Sequence, residues 1–253
     1  MYDVDQEPQR CKTFVLVHGI CHSGWTWRPV AELLRAQGHV VYTPTMPGLG
    51  GEDDRAQVHL VDAVDYLVDY IERRDLADVV LVGHSWGGFL VSGASARVAH
   101  RIDQLIYWSA FVPHTGESLI DLCPPAFGDM FRASASASAD NSVAFSRDVF
   151  CSALMQDASP ETQHLVYPLL ERQPFLTMTE SLDLDEWERL RLPATYILSR
   201  DDMALPPGDF GWAPRFPERL PGGRVILTPG GHEAQLTEPE ALAAAFIEAA
   251  MQQ

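Results

Sequence analysis

Stretches of consecutive apolar residues recur along the chain, and between them apolar residues return at helical spacing. Thr13-Phe14-Val15-Leu16-Val17, His39-Val40-Val41-Tyr42, Val79-Val80-Leu81-Val82, Gln104-Leu105-Ile106-Tyr107-Trp108, Thr195-Tyr196-Ile197-Leu198 and Arg224-Val225-Ile226-Leu227 are the runs in question. Rich in β-branched and aliphatic residues and lacking polar alternation, they predict strands buried on both faces. Trp27, Val30, Leu33 and Leu34 predict a helix from Trp25 to Gln37, and Gly38 suits its stop. Leu60, Val61, Val64, Leu67, Val68 and Ile71 share one face of a second helix. Asp62, Asp65, Asp69 and Glu72 on its other side read as a solvated face rather than a metal site. A third helix follows Ser85 and packs through Ala94, Ala96 and Ala99, and an alanine-rich helix from Glu238 to Ala250 closes the chain. Alternation of strand and helix with short turns implies an α/β domain built on a doubly wound sheet of about six mainly parallel strands.

The alternation stops between Phe111 and about Leu190. Pro124-Pro125, Gly128 and the run Ala133-Ser134-Ala135-Ser136-Ala137-Ser138-Ala139 lie among short helical patterns such as Pro160 to Leu170. An insertion of this size after the fourth strand predicts a mostly helical cap, residues 113–190, over the carboxyl ends of the strands, where ligands bind in open α/β sheets. Residues 1–112 and 191–253 then form the core. The Ala/Ser run has no bulky anchor, so mobility is expected there, with a short helix as the alternative.

Composition narrows the partners. A chain of 253 residues, 46% hydrophobic, can bury one sizeable core. A formal charge of −17 argues against nucleic acid and anionic membranes, which need basic surface. Residues 1–10 read as a loose polar arm without a signal peptide, and no apolar run approaches a membrane span. Cys11, Cys21, Cys123 and Cys151 show no metal-ligand spacing and no disulfide framework. A cytoplasmic protein, monomer or homodimer, with no metal or cofactor, is expected.

The candidate chemistry centres on Gly83-His84-Ser85-Trp86-Gly87-Gly88, set between a buried strand and a small-residue helix. This is the nucleophile-elbow pattern. A serine hydroxyl attacks only if it stands clear of the sheet, which strains its backbone, and flanking glycines let strand and helix cross closely. The serine needs a base, and the base needs a carboxylate to orient it. The fifth strand runs into Ser199-Arg200-Asp201-Asp202, and the last into Thr228-Pro229-Gly230-Gly231-His232. His232 is the candidate base. Two adjacent aspartates compete for the acid, and Asp202, four residues before Pro206, is favoured over Asp201. An oxyanion hole requires two backbone donors, assigned to the N–H groups of Trp86 and of Ile20 beyond His18-Gly19.

With these pieces in place the chain resembles the α/β-hydrolase superfamily, and within it the plant-type methylesterase and hydroxynitrile lyase group. The resemblance is carried by Val17-His18-Gly19-Ile20-Cys21-His22-Ser23-Gly24-Trp25-Thr26-Trp27, the elbow, Leu205-Pro206 through Phe210 and Trp212, and Gly230-Gly231-His232 with Leu236. It is weak between Pro113 and Leu190. Members of that group lack an initial antiparallel strand pair, in agreement with the short arm before Thr13. The resemblance implies two chemistries. The lyases carry a threonine after the first-strand histidine and a lysine after the catalytic histidine, where this chain has Gly19 and Glu233. Gly19 opens a conventional oxyanion hole at the substrate site, and Glu233 opposes a departing anion. The expected activity is hydrolysis of a small to medium apolar ester, a methyl ester or lactone, with Phe111, Phe127 and Phe131 as candidate substrate contacts. C–C or thioester cleavage, including hydroxynitrile lyase-like chemistry, and a non-catalytic ligand-binding protein of the same fold are the alternatives.

Overall fold

In the computed structural model, which describes residues 11–251, six strands form one wholly parallel sheet. They are β1 (Thr13–Val17), β2 (Val40–Tyr42), β3 (Val79–His84), β4 (Ile102–Trp108), β5 (Ala194–Ser199) and β6 (Val225–Thr228), in the order β2-β1-β3-β4-β5-β6. The arm expected over residues 1–10 lies outside the described residues.

Successive strand side chains point to opposite faces, and both faces are covered over the inner strands, while the edge strands expose Val40, Val225 and Leu227. Phe14, Leu16, Val80, Val82, Ile106 and Trp108 join one core, under α1 (Arg28–Ala36) and the C-terminal helix Pro239–Met251. Val15, Val17, Leu81, Leu105 and Tyr107 join the other, under α2 (Leu60–Arg73) and α3 (Gly87–Arg97). Each fully buried aliphatic side chain contributes about 1.5–3 kcal/mol, so packing holds these helices more than their ends do. α3 has no side-chain cap at its start.

The order reverses between β1 and β3, which is where open α/β sheets bind ligands. Val17 on β1 pairs with Gly83 on β3, so the loops beginning at His18 and at Ser85 leave the sheet side by side.

Between β4 and β5 the chain makes a long excursion. It includes α4 (Pro125–Ser136), α5 (Pro160–Val166), α6 (Asp185–Leu190) and an antiparallel pair, Ser142–Val143 with Gln173–Pro174. Trp187 on α6 packs edge-on against Tyr107 of β4. The Ala/Ser run takes the helical alternative through Ser136 rather than lying loose. Its small side chains do hold. Ala135 is buried, the Ser134 hydroxyl accepts the Ala144 N–H at 3.2 Å, and the Ser138 hydroxyl accepts that of Ser142 at 2.8 Å. Among the described residues, no helix is long and apolar enough to cross a membrane.

Candidate active site

Ser85 stands at the end of β3 with φ 53°, in the left-handed region that costs a non-glycine residue on the order of 1–3 kcal/mol. The strain is held from several sides. The Ser85 carbonyl accepts the N–H groups of Gly88 and Phe111, each at 3.1 Å, and its own N–H donates to the Trp108 carbonyl at 3.4 Å. The crossing of strand and helix demands glycine. A Cβ on Gly83 would lie 2.8 Å from the Gly87 oxygen, and one on Gly88 would overlap the Phe111 carbonyl.

The loops after β5 and β6 bring Asp202 and His232 together, with Asp202 Oδ2 2.8 Å from His232 Nδ1 and both side chains buried. A carboxylate accepts, so Nδ1 carries the proton and Nε2 is left as the basic nitrogen. The other Asp202 oxygen accepts the Ala204 N–H at 2.9 Å. Burial pushes the Asp202 carboxyl up, but the charge and hydrogen bond of His232, the Ala204 N–H and the Ser109 hydroxyl hold it below the ordinary range. Burial also favours the neutral ring at His232, yet Asp202, with Glu233 adding, holds it above the usual imidazole value. Trp212 stacks on that ring, centroids 5.5 Å apart and planes 11° from parallel. Asp201 is exposed, and its carbonyl accepts from Gln156 Nε2 at 2.5 Å.

The loop after β1 is fixed by two histidines. His18 Nδ1 lies 2.9 Å from the Gly19 carbonyl and its Nε2 accepts the Met46 N–H at 3.1 Å, which sets the tautomer. Burial lowers the His18 pKa to about 4, although the Gly19 bond opposes it. His22 Nδ1 lies 2.8 Å from the Ile20 carbonyl. The N–H groups of Ile20 and Trp86 donate to no protein acceptor among the described residues.

Ser85, His232 and Ile20 share a cavity of about 190 Å³, and Phe111, Phe127 and Phe131 form part of its walls. Among the described residues, no lysine, arginine or carboxylate lines it. The Trp86 side chain is buried away from it, its Nε1 donating to the Thr177 carbonyl at 3.1 Å. Gly19 is not part of the wall. It lies beside Ser85, where a Cβ would sit 3.0 Å from that of Ser85.

Three features escape the sequence reading. Glu233 does not face the cavity; it is fully buried and turned toward His22 and Gln235. Gln156 and Asp157, from the β4–β5 excursion, bond the loops that carry Asp202 and His232. Neither residue lies in a motif, so their only signal is proximity in the fold.

Comparison with known proteins places this geometry in context. Residues 14–245 match the Alpha/beta hydrolase family. An extracellular alpha/beta-hydrolase from a Paenibacillus species, described as sharing structural and functional homology with tobacco salicylic acid-binding protein 2, superimposes with a TM-score of 0.92. It is 31% identical, over 95% of this chain and 100% of that one. A carbendazim-hydrolyzing esterase from a Nocardioides species is 44% identical over 119 residues, 45% of this chain and 48% of its own length. Salicylic acid-binding protein 2 of Nicotiana tabacum is 39% identical over 106 residues, 40% of each chain. The chain thus spans less than half the length of these two curated relatives.

Proposed function

This chain belongs to the alpha/beta hydrolase family, and we propose that it is a serine hydrolase that cleaves small to medium, mainly apolar carboxylic esters, a methyl ester or lactone. One observation carries the reading: a buried Asp202–His232 pair held at 2.8 Å beneath an apolar cavity that Ser85 and His232 both line. The esterase named among the relatives supports the ester as the bond cleaved.

The chemistry follows from the groups present. Ser85 Oγ attacks the ester carbonyl while His232 Nε2 takes its proton, and Asp202 steadies the imidazolium. The charge that develops on the carbonyl oxygen is met by the Ile20 and Trp86 N–H groups, the second at the positive end of α3. His232 returns the proton to the leaving alcohol, and water then releases the acid from Ser85 by the same route. No cofactor is needed for these steps. The excursion over residues 113–190 acts as the cap, supplying Phe127 and Phe131, and walls without a fixed charge suit a neutral substrate. Four free cysteines support a cytoplasmic setting.

Gly19 separates hydrolysis from cyanide release. A threonine there would crowd Ser85 Cβ and His84 Nδ1, its Cβ lying 3.0 Å from the first and 3.2 Å from the second. Wild-type protein should turn over p-nitrophenyl butyrate, lose this in Ser85→Ala, and leave mandelonitrile at its background rate. Cleavage of mandelonitrile that depends on Ser85 would overturn the esterase reading, and equal inactivity of both proteins on a panel of methyl esters, lactones and thioesters would favour a binding protein.

A further inference from the structure

His22 and Glu233, 211 residues apart by their numbers, meet behind the cavity. His22 Nδ1 lies 2.8 Å from the Ile20 carbonyl, and a carbonyl only accepts, so this nitrogen carries a proton. Nε2 faces Glu233 Oε2 at 3.2 Å. The His22 side chain is 2% exposed and that of Glu233 0%, so both are shielded from bulk solvent. Glu233 Oε2 also accepts from Gln235 Nε2 at 2.6 Å, and the same amide donates to Thr26 Oγ1 at 2.9 Å. The pair is therefore braced from the β1 loop and from the β6 loop at once.

We propose that His22 and Glu233 are positioning residues, an ion-paired strut that fixes the spacing between the Ile20 oxyanion donor and the base His232. The inference rests on the serine-hydrolase reading above. Glu233 directly follows His232, and His22 holds the peptide that follows Ile20. His18 holds the peptide before it, the one that contains the Ile20 N–H. The donor is pinned on both sides, and the second pin is anchored on the neighbour of the base. An apolar pair would fill the space but could not grip the Ile20 carbonyl.

The charges around the strut favour the ion pair. Burial pulls His22 toward the neutral ring, but Glu233 and the Ile20 carbonyl outweigh it and hold the ring above its usual range. Burial likewise opposes the Glu233 carboxylate, and His22, His232 and Gln235 hold it below its usual range. The other titratable groups facing the strut are His18, Cys21, His84 and His232. Burial keeps His18 neutral down to about 4 and Cys21 up to about 12, and lowers His84 well below the usual value. Among these neighbours, His232 alone is a histidine held above its ordinary value.

The test compares Glu233→Gln, His22→Asn and His22→Leu with wild type on p-nitrophenyl butyrate, and on trifluoroacetophenone, which adds reversibly to the serine. Acetophenone serves as the ground-state control. His22→Leu should lose roughly 10- to 100-fold in kcat, as small misplacements of reacting groups do, with KM within about twofold. His22→Asn, whose amide can still donate to Ile20, should recover part of that loss. Affinity for trifluoroacetophenone should fall by the same factor as kcat/KM while that for acetophenone holds. Independently of activity, ¹⁵N-histidine NMR at pH 7 should show His22 doubly protonated in wild type and neutral in Glu233→Gln. Folded variants with wild-type kcat and ketone affinity, a loss confined to KM, or a neutral His22 in wild type would each overturn the strut. Should His22→Leu not fold, the two near-isosteric variants decide. Failure of the hydrolase reading would look different, with wild type as inactive as Ser85→Ala.

Discussion

Asp157 Oδ2 accepts the Gly231 N–H at 2.8 Å, so a residue of the β4–β5 excursion holds the residue that precedes His232. The same carboxylate accepts the Thr237 hydroxyl at 2.9 Å, and its neighbour Gln156 bonds the carbonyl of Asp201, beside Asp202. A Cβ on Gly231 would lie 2.9 Å from Asp157 Oδ1, so a larger residue there would push against the Asp157 carboxylate. The segment just before the latch, through Ser152, Ala153 and Leu154, lines the cavity. Removing the latch with Asp157→Ala and Gln156→Ala should lower kcat by about tenfold through looser placement of His232, with the fold retained by circular dichroism. Wild-type kcat in the double variant would show that the loops hold themselves.

The choice between adjacent aspartates predicts unequal effects. Asp202→Asn should lower kcat on the order of 10⁴-fold, as loss of a carboxylate that fixes the tautomer can. Asp201→Asn should change it little, because that side chain is exposed while its backbone carbonyl makes the contact with Gln156. Steady-state kinetics of the two variants check the assignment, and the opposite ranking would transfer the role.

The rate should fall in acid because His232 must be neutral to act as base. Its pKa is raised in the folded protein, chiefly by Asp202 against the pull of burial. The acidic limb of kcat/KM therefore lies above the ordinary value of 6.5. Asp202→Asn should move that limb downward, and Glu233→Gln should move it the same way by less. A limb below 6.5 in wild type would contradict the charge arrangement.

His18 predicts a loss of stability in acid. Its pKa is about 4 when folded and near the ordinary 6.5 when unfolded, so between those values the unfolded chain binds a proton that the native chain refuses. The stabilisation is whole above 6.5 and shrinks as pH falls through 4, by about 3 kcal/mol in all. His22 and His232, with raised values, act in the opposite sense, weakening as pH rises through their folded values. The difference between wild type and His18→Gln in urea unfolding at pH 7 and pH 4 isolates the His18 part. Parallel losses in the two proteins would refute it.

The sheet is legible in the sequence because its four inner strands are buried on both faces, and because the elbow glycines have contacts that only glycine allows. The edge strands depart from that expectation, exposing Val40, Val225 and Leu227, since no neighbouring strand or helix covers that side. The elbow motif and the strand ends pick out Ser85 and His232 and narrow the acid to Asp201 or Asp202, and the spacing to Pro206 favours Asp202. Glu233 departs from expectation for a physical reason. Adjacency in sequence to His232 says that a charge is near the base, but the turn after the histidine points consecutive side chains apart, and the partner that receives Glu233 comes from the loop after β1. The Ala/Ser run departs because its anchoring comes from hydroxyls bonding residues 142 and 144, a contact that hydrophobicity does not register.

β4 and β5 are neighbours in the sheet, and the chain leaves from one and returns to the other. Much of what is inserted between them can therefore be exchanged without threading a new strand, provided Ser109 and Phe111, which bond Asp202 and the Ser85 carbonyl, are kept. Descent within such a scaffold is free to rebuild the walls for a new molecule while keeping the reaction, and an engineer can graft a foreign roof onto the same two posts. The graft must also replace the contacts the excursion makes with its neighbours: an acceptor for the Gly231 N–H, a donor for the Asp201 carbonyl, and partners for the Cys21 backbone and the Trp86 indole. A transplanted roof lacking those contacts would bring the new specificity at the expense of the turnover it was meant to redirect.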